Sequence, residues 1–240
     1  MNVYQSACLS ELADVAMARA LRAPESVRKF WVAEAARLVA LERLGCRATK
    51  VVSPPIPVPP LVSELSQPIT LPAGTSGFAC VVFRDEIVPW NFSAVDITHQ
   101  IAAATRIRFV IDSPGGDAPL ALEIIRATEG KEAETEIIAH AFSSAALLAL
   151  AGSKRRMAAG AWMMIHPIQR AVMGAPQTLR HAADELDKMI AEAVIVFERA
   201  GIRRRLAKKW LTTNSDFYFS AEDAKRIGLV TEIYEPSKPI

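Results

Sequence analysis

Ile111-Asp112-Ser113-Pro114-Gly115-Gly116-Asp117 runs out of an apolar, β-branched stretch and into a segment with helical spacing. Two adjacent glycines after a proline leave backbone amides uncovered at a strand-to-helix turn, where bare N–H groups can hold an anion or an oxyanion. The same residues also satisfy the dihedrals of a tight turn with no ligand, so this stretch alone leaves both readings open. Its value for the fold is positional, because it marks a β-to-α junction inside a longer alternation.

Outward from that junction, strand and helix signals alternate. Phe78–Phe83 reads as a strand, Ala94–Ala104 as a helix, Ile107–Ile111 as a strand, Leu120–Ala127 as a helix and Glu136–Ala141 as a strand. A helix over Ser144–Ala151, a Met-rich strand ending at His166 and a helix over Thr178–Ala200 follow. The last carries Leu179, Ala183, Leu186, Ile190, Ala193 and Phe197 on one stripe. Arg203, Arg204, Arg205, Lys208 and Lys209 then read as solvated surface. The expected class is α/β.

Ahead of this domain, residues 1–52 read as a helical extension. Leu9, Leu12 and Ala16 share a face, and after Pro24 the set Val27, Phe30, Trp31, Ala35 and Leu38 recurs at helical spacing up to Gly45. The Phe30 and Trp31 stripe reads as exposed, the mark of a docking or regulatory element. Pro54, Pro55, Pro57, Pro59 and Pro60 make 53–76 a semi-rigid linker, and 77–240 the main domain.

With 28 Lys plus Arg against 26 Asp plus Glu, the net charge of +2 gives no footprint for nucleic acid. Cys8, Cys46 and Cys80 are scattered, so neither a disulfide framework nor a metal site is expected, and the reading is a cytoplasmic protein without cofactor. No secretory leader is read at the N-terminus. The apolar run Ile137–Gly152 is shorter than the roughly 20 residues of a membrane span, so no membrane partner is expected.

Three side chains could carry chemistry. Ser143 falls between a strand and an apolar helix, where it can be a helix cap or a nucleophile beside free amides. His166 ends an apolar strand just before Pro167, and of the four histidines it is the best placed as a base. His99 and His181 lie in helical stretches, and His140 reads as packing in a buried strand. A catalytic imidazole needs a carboxylate to hold its tautomer. Asp216, before Phe217-Tyr218-Phe219-Ser220, can supply it or can be a turn aspartate.

Read in order, Ser113-Pro114-Gly115-Gly116, Met164-Ile165-His166-Pro167, Asp216 with Phe219-Ser220-Ala221-Glu222-Asp223-Ala224, and Gly228-Leu229-Val230 resemble the motifs of the Clp protease proteolytic subunit. That family shares a wider group with signal peptide peptidases and crotonases. The resemblance runs from about Phe78 to Ile233. It implies an α/β ClpP/crotonase-like spiral of repeated β-β-α units, here with an N-terminal helical extension.

It also implies a serine endopeptidase. Counting back from Gly152 places the nucleophile at Ser143, with Ser144 its neighbouring competitor. His166 is then the base, Asp216 its orienting carboxylate, and the amides of Gly116 and Ser144 the oxyanion hole. The implied substrate is a peptide or unfolded protein, and the implied assembly a homo-oligomeric heptamer or double ring joined through the Thr178–Ala200 region. The chain departs from the family at His140-Ala141-Phe142, where small residues are usual, so that Phe142 is expected to narrow the pocket. Asp112 stands where asparagine is common. Residues 1–76 replace the family's unfoldase-engaging hairpin, which leaves an AAA+ unfoldase partner open. The alternatives are a crotonase-like acyl-CoA enzyme, using the Gly-Gly amides on a thioester enolate, and a non-catalytic ring subunit.

Overall fold

The computed structural model describes residues 77–89 and 91–236, together with residues 17, 20, 21, 25, 28, 29, 31–33, 35 and 36. The chain divides into two units, Met1–Pro54 and Pro55–Ile240. In the first, every described residue is helical, and Arg28 pairs with Glu25 one turn earlier at 2.8 Å. Trp31 is only 4% exposed, which corrects the expectation of an exposed stripe: so large an apolar side chain is stabilised by leaving water. Phe30, Gly45 and the linker 53–76 lie outside the described residues.

The second unit runs β1 (Phe78–Phe83), α1 (Ala94–Ala103), β2 (Arg106–Ser113), α2 (Ala118–Ala127), β3 (Glu132–Phe142), α3 (Ser144–Ala149), β4 (Lys154–Ala158), β5 (Trp162–Ile165), α4 (Pro176–Arg199), α5 (Arg204–Thr212), β6 (Phe217–Ser220), α6 (Ala221–Ile227) and β7 (Glu232–Tyr234). It is an α/β protein with a parallel-dominated sheet. Strands β1-β2-β3-β4-β7 lie side by side, all parallel, while β5 runs parallel to β3 and antiparallel to β6.

Period-2 burial shows how the sequence makes this sheet. In β1 and β2 alternate residues Ala79, Val81, Phe83, Ile107, Phe109 and Ile111 are buried under helices α1 to α3. Each such large side chain contributes roughly 1.5–3 kcal/mol by leaving water. On the other face of β2, β3, β4 and β7, charges pair across strands: Glu136 of β3 pairs with Arg108 of β2, and Arg156 of β4 lies 3.6 Å from Glu232 of β7 and over the Tyr234 ring. Caps set the helix starts, with Ser93 Oγ accepting from the Asp96 amide and Asp117 Oδ1 from that of Leu120. Among the described residues no helix is long and apolar enough to cross a membrane.

β3 contains an irregularity that matters for the site. Ile111 pairs with Ile137, yet Ser113 pairs with Ala141, so β3 advances four residues while β2 advances two. At the same place β3 changes its other neighbour. Residues up to Ile137 pair with β4, whereas His140, Ala141 and Phe142 pair with Trp162, Met163 and Met164 of β5. A bulge of this kind bends and twists a strand.

The Met-rich strand expected to end at His166 is β5, while β4, which pairs with an earlier part of β3, is a strand that the sequence reading passed over. Of the apolar stripe of α4 only Ala193 and Phe197 are buried, with Ile190 packed partly against the core, and Leu179 is 45% exposed. The basic run is exposed, in agreement with its reading as solvated surface, and the other face of α5 buries Ala207, Trp210 and Leu211.

Candidate active site

The elements above converge where β3 ends. Ser143 follows Phe142 and caps α3 with φ 57° and ψ −123°, and it is the single non-glycine residue with positive φ among the described residues. Such a backbone costs on the order of 1–3 kcal/mol and persists only where its surroundings over-determine it. Its amide donates to the Met164 carbonyl at 2.9 Å, tying it to β5. Its side chain makes no cap hydrogen bond. Ser143 Oγ instead lies 2.7 Å from His166 Nε2, a hydrogen bond between hydroxyl and imidazole. Ser144 differs: it is 2% exposed, and its Oγ finds no partner among the described residues. The hydroxyl aimed at an imidazole is that of Ser143.

His166 directly follows β5, and Asp216 directly precedes β6. The β5–β6 pairs run from Trp162↔Ser220 to Ile165↔Phe217, so His166 and Asp216 are the residues that flank the last pair of this antiparallel ribbon. Both are partly buried. β6 is held by aromatic packing, with Trp210 of α5 lying 5.2 Å from Phe219 and 6.5 Å from Phe217, centroid to centroid.

The Pro-Gly-Gly turn closes the other side. A Cβ on Gly115 would lie 2.3 Å from the Phe142 carbonyl oxygen and 2.6 Å from Ser143 Cβ, and φ there is +92°. Glycine is required twice over, once for the dihedral and once for the approach to the serine. Gly116 bridges Ile87 through its neighbours: the Ile87 amide donates to the Gly115 carbonyl at 2.8 Å and the Asp117 amide to the Ile87 carbonyl at 2.7 Å. In that parallel pattern the Gly116 amide itself lies on the opposite edge from Ile87. Ser113, fully buried, organises the turn by accepting from the Gly115 amide at 3.1 Å and donating to the Asp85 carbonyl at 2.7 Å.

Two expectations about departures change. Phe142 does not narrow an open pocket: it has 0% exposure, its ring packed between His140 at 5.1 Å and Tyr218 at 6.2 Å. His140 does more than pack, since its ring Nδ1 lies 3.1 Å from Asp112 Oδ1 and its amide donates to the same oxygen at 3.2 Å. Sequence reading also passed over Arg155, whose buried guanidinium donates to the carbonyls of Gly152, Ala200, Gly228 and Leu229. Burial pulls its pKa down. An arginine inside a strand of alternating burial was the available signal; Ser113, a hydroxyl two residues before a glycine amide, was another.

A serine hydroxyl on an imidazole, set at a strand-to-helix junction beside a glycine turn, belongs with the hydrolases. The Clp protease family model matches residues 93–237. This chain belongs to the Clp protease family, a family of peptidases. No curated protein matches it significantly.

Proposed function

We propose that the protein is a serine endopeptidase in which Ser143 is the nucleophile, His166 the general base and Asp216 the carboxylate that holds the imidazole. The observation that carries this reading is the 2.7 Å contact of His166 Nε2 with Ser143 Oγ at a strained junction. His166 takes the Ser143 proton as Oγ attacks the scissile carbonyl, and the carbonyl π-electrons pass to oxygen. The Gly116 and Ser144 amides donate to that oxyanion. When the tetrahedral intermediate collapses, the C–N bond breaks, His166 returns the proton to the leaving amine, and an acyl-Ser143 ester remains. Water, deprotonated by His166, then hydrolyses the ester. Asp216 stays ionised and stabilises the imidazolium.

The substrate class is peptide or unfolded protein. Membership of the family and the exposed first half of α4 support a homo-oligomeric ring, the ClpP/crotonase-like β-β-α spiral and a cytoplasmic setting; an ATP-driven unfoldase remains an open partner. A fluorophosphonate probe tests the nucleophile: wild type is labelled at Ser143, and equal labelling of a folded S143A variant sinks the assignment. Light scattering tests the ring separately, and a monomer at every concentration removes it.

A further inference from the structure

The bulge in β3 stands between the main sheet and the short β3–β5–β6 ribbon whose ends carry Ser143, His166 and Asp216. A strand that bulges loses regular ladder partners at the extra residues, and a bend left without substitutes lets the ribbon move against the Gly115–Gly116 turn. Asp112 supplies the substitute. It is 5% exposed, it lies in β2 opposite the bulge, and its Oδ1 takes the His140 amide at 3.2 Å and contacts the His140 ring Nδ1 at 3.1 Å. Arg84, at the end of β1, is the cation that faces it: burial lowers the Arg84 pKa, and the charges of Asp112 and Asp85 work against that fall.

We propose that Asp112 and His140 are positioning residues, a clamp across the bulge that sets Ser143 against His166 and the Gly115–Gly116 turn. The proposal rests on the serine-peptidase reading. Asp112 reaches both halves of the site. Through His140 it holds β3 two residues before Phe142, and the His140 ring packs on Phe142, which packs on Tyr218 two residues from Asp216. Through the chain it adjoins Ser113, which holds the Gly115 amide. What the clamp needs from position 112 is an acceptor oxygen, so asparagine replaces it and alanine does not.

The test compares full-length wild type, Asp112→Ala, Asp112→Asn and His140→Ala. Two readouts are used: the second-order rate of fluorophosphonate labelling, and the titration curve of His166 from deuterium exchange at its ring carbon read by mass spectrometry. Thermal unfolding identifies folded variants. D112A slows labelling by about tenfold or more, since misplacements near 1 Å cost up to about a hundredfold, and it displaces the His166 titration. D112N keeps the rate within about threefold of wild type with an unmoved His166 curve. A merely structural role lowers thermal stability without moving either readout. Wild-type behaviour of folded D112A in both readouts overturns the clamp, as does D112N falling as far as D112A. If D112A does not fold, H140A carries the test, and wild-type values in both readouts overturn the clamp. Absence of labelling in wild type sinks the peptidase reading instead, a result separate from either.

Discussion

Ile165 and Phe217 face one another as the last antiparallel pair of β5 and β6, and the residues that step off this pair are His166 and Asp216. Fifty positions apart in the chain, they are brought to the same end of the ribbon by this register, and a one-residue slip of either strand would turn that strand's side chains to the other face. The position of His166 relative to Asp216 therefore depends on whatever holds β6 in place.

Asp216→Asn tests the first part of this dependence. The variant keeps its shape but no longer stabilises an imidazolium, and the labelling rate falls by roughly a hundredfold to ten-thousandfold. Thermal unfolding stays near wild type. A rate within a factor of a few of wild type removes Asp216 from the proposed triad.

Trp210→Ala tests the second part. Its ring contacts Phe197, Phe217 and Phe219, and truncating a buried aromatic costs about 3–5 kcal/mol. Stability falls accordingly, and labelling measured well below the lowered melting temperature falls with it, because β6 loses its packing. Unchanged labelling in the folded variant shows that β6 holds its register without Trp210.

Gly115→Ala places a methyl group 2.3 Å from the Phe142 carbonyl oxygen and 2.6 Å from Ser143 Cβ, at a φ of +92°. Either the turn or the serine must shift. Stability drops by about 1–3 kcal/mol and labelling by at least about a hundredfold. Denaturant melts and labelling rates check both, and a variant with wild-type labelling contradicts the close approach.

Arg155→Met removes the donors that four buried carbonyls share. Even with the relief of a desolvated charge, the orphaned acceptors cost about 2–4 kcal/mol, lowering Tm by roughly 5–15 °C. Calorimetry checks this; an unchanged Tm means that water or relaxation replaces the guanidinium.

Alkaline pH supplies a prediction with a definite sign. Burial first, then its hydrogen bond to Glu136, pushes the Tyr234 phenol above its ordinary 10.0. The folded state thus holds a proton that the unfolded chain loses. Its stabilising contribution is full below about pH 10 and declines as pH rises from there toward the raised value. Cys80, pushed up from 9.0 chiefly by burial, acts in the same direction. The fall of Tm with pH across this window is shallower in Tyr234→Phe than in wild type. Parallel slopes remove Tyr234 as a source of the effect.

Much of the fold was legible because the signals are local. Alternating burial in Phe78–Phe83 and in β2, the Asp117 and Ser220 caps, and the Gly115–Gly116 dihedrals all follow from residues a few positions apart. Periodicity overstated the buried stripe of α4 and the exposure of Trp31, since an amphipathic pattern states which face is apolar and says nothing about what covers it. It also passed over β4, whose charged residues Lys154, Arg155 and Arg156 mask the strand pattern.

The candidate site divides in the same way. Motif order was enough to single out His166, Asp216 and the Ser143-Ser144 pair, since β3 and β5 end, and antiparallel β6 begins, at one edge of the sheet. Only tertiary structure shows which of the two serine hydroxyls meets the imidazole, because the 2.7 Å contact depends on β3 and β5 lying side by side. It alone showed Phe142 buried, Arg155 among four carbonyls and Asp112 bonded across the bulge to His140. Apart from the Arg155 contact to Gly152, those relationships join residues 28 to 74 positions apart or reflect packing from several elements at once. No local spacing encodes them, because they arise from which strands become neighbours and in what register.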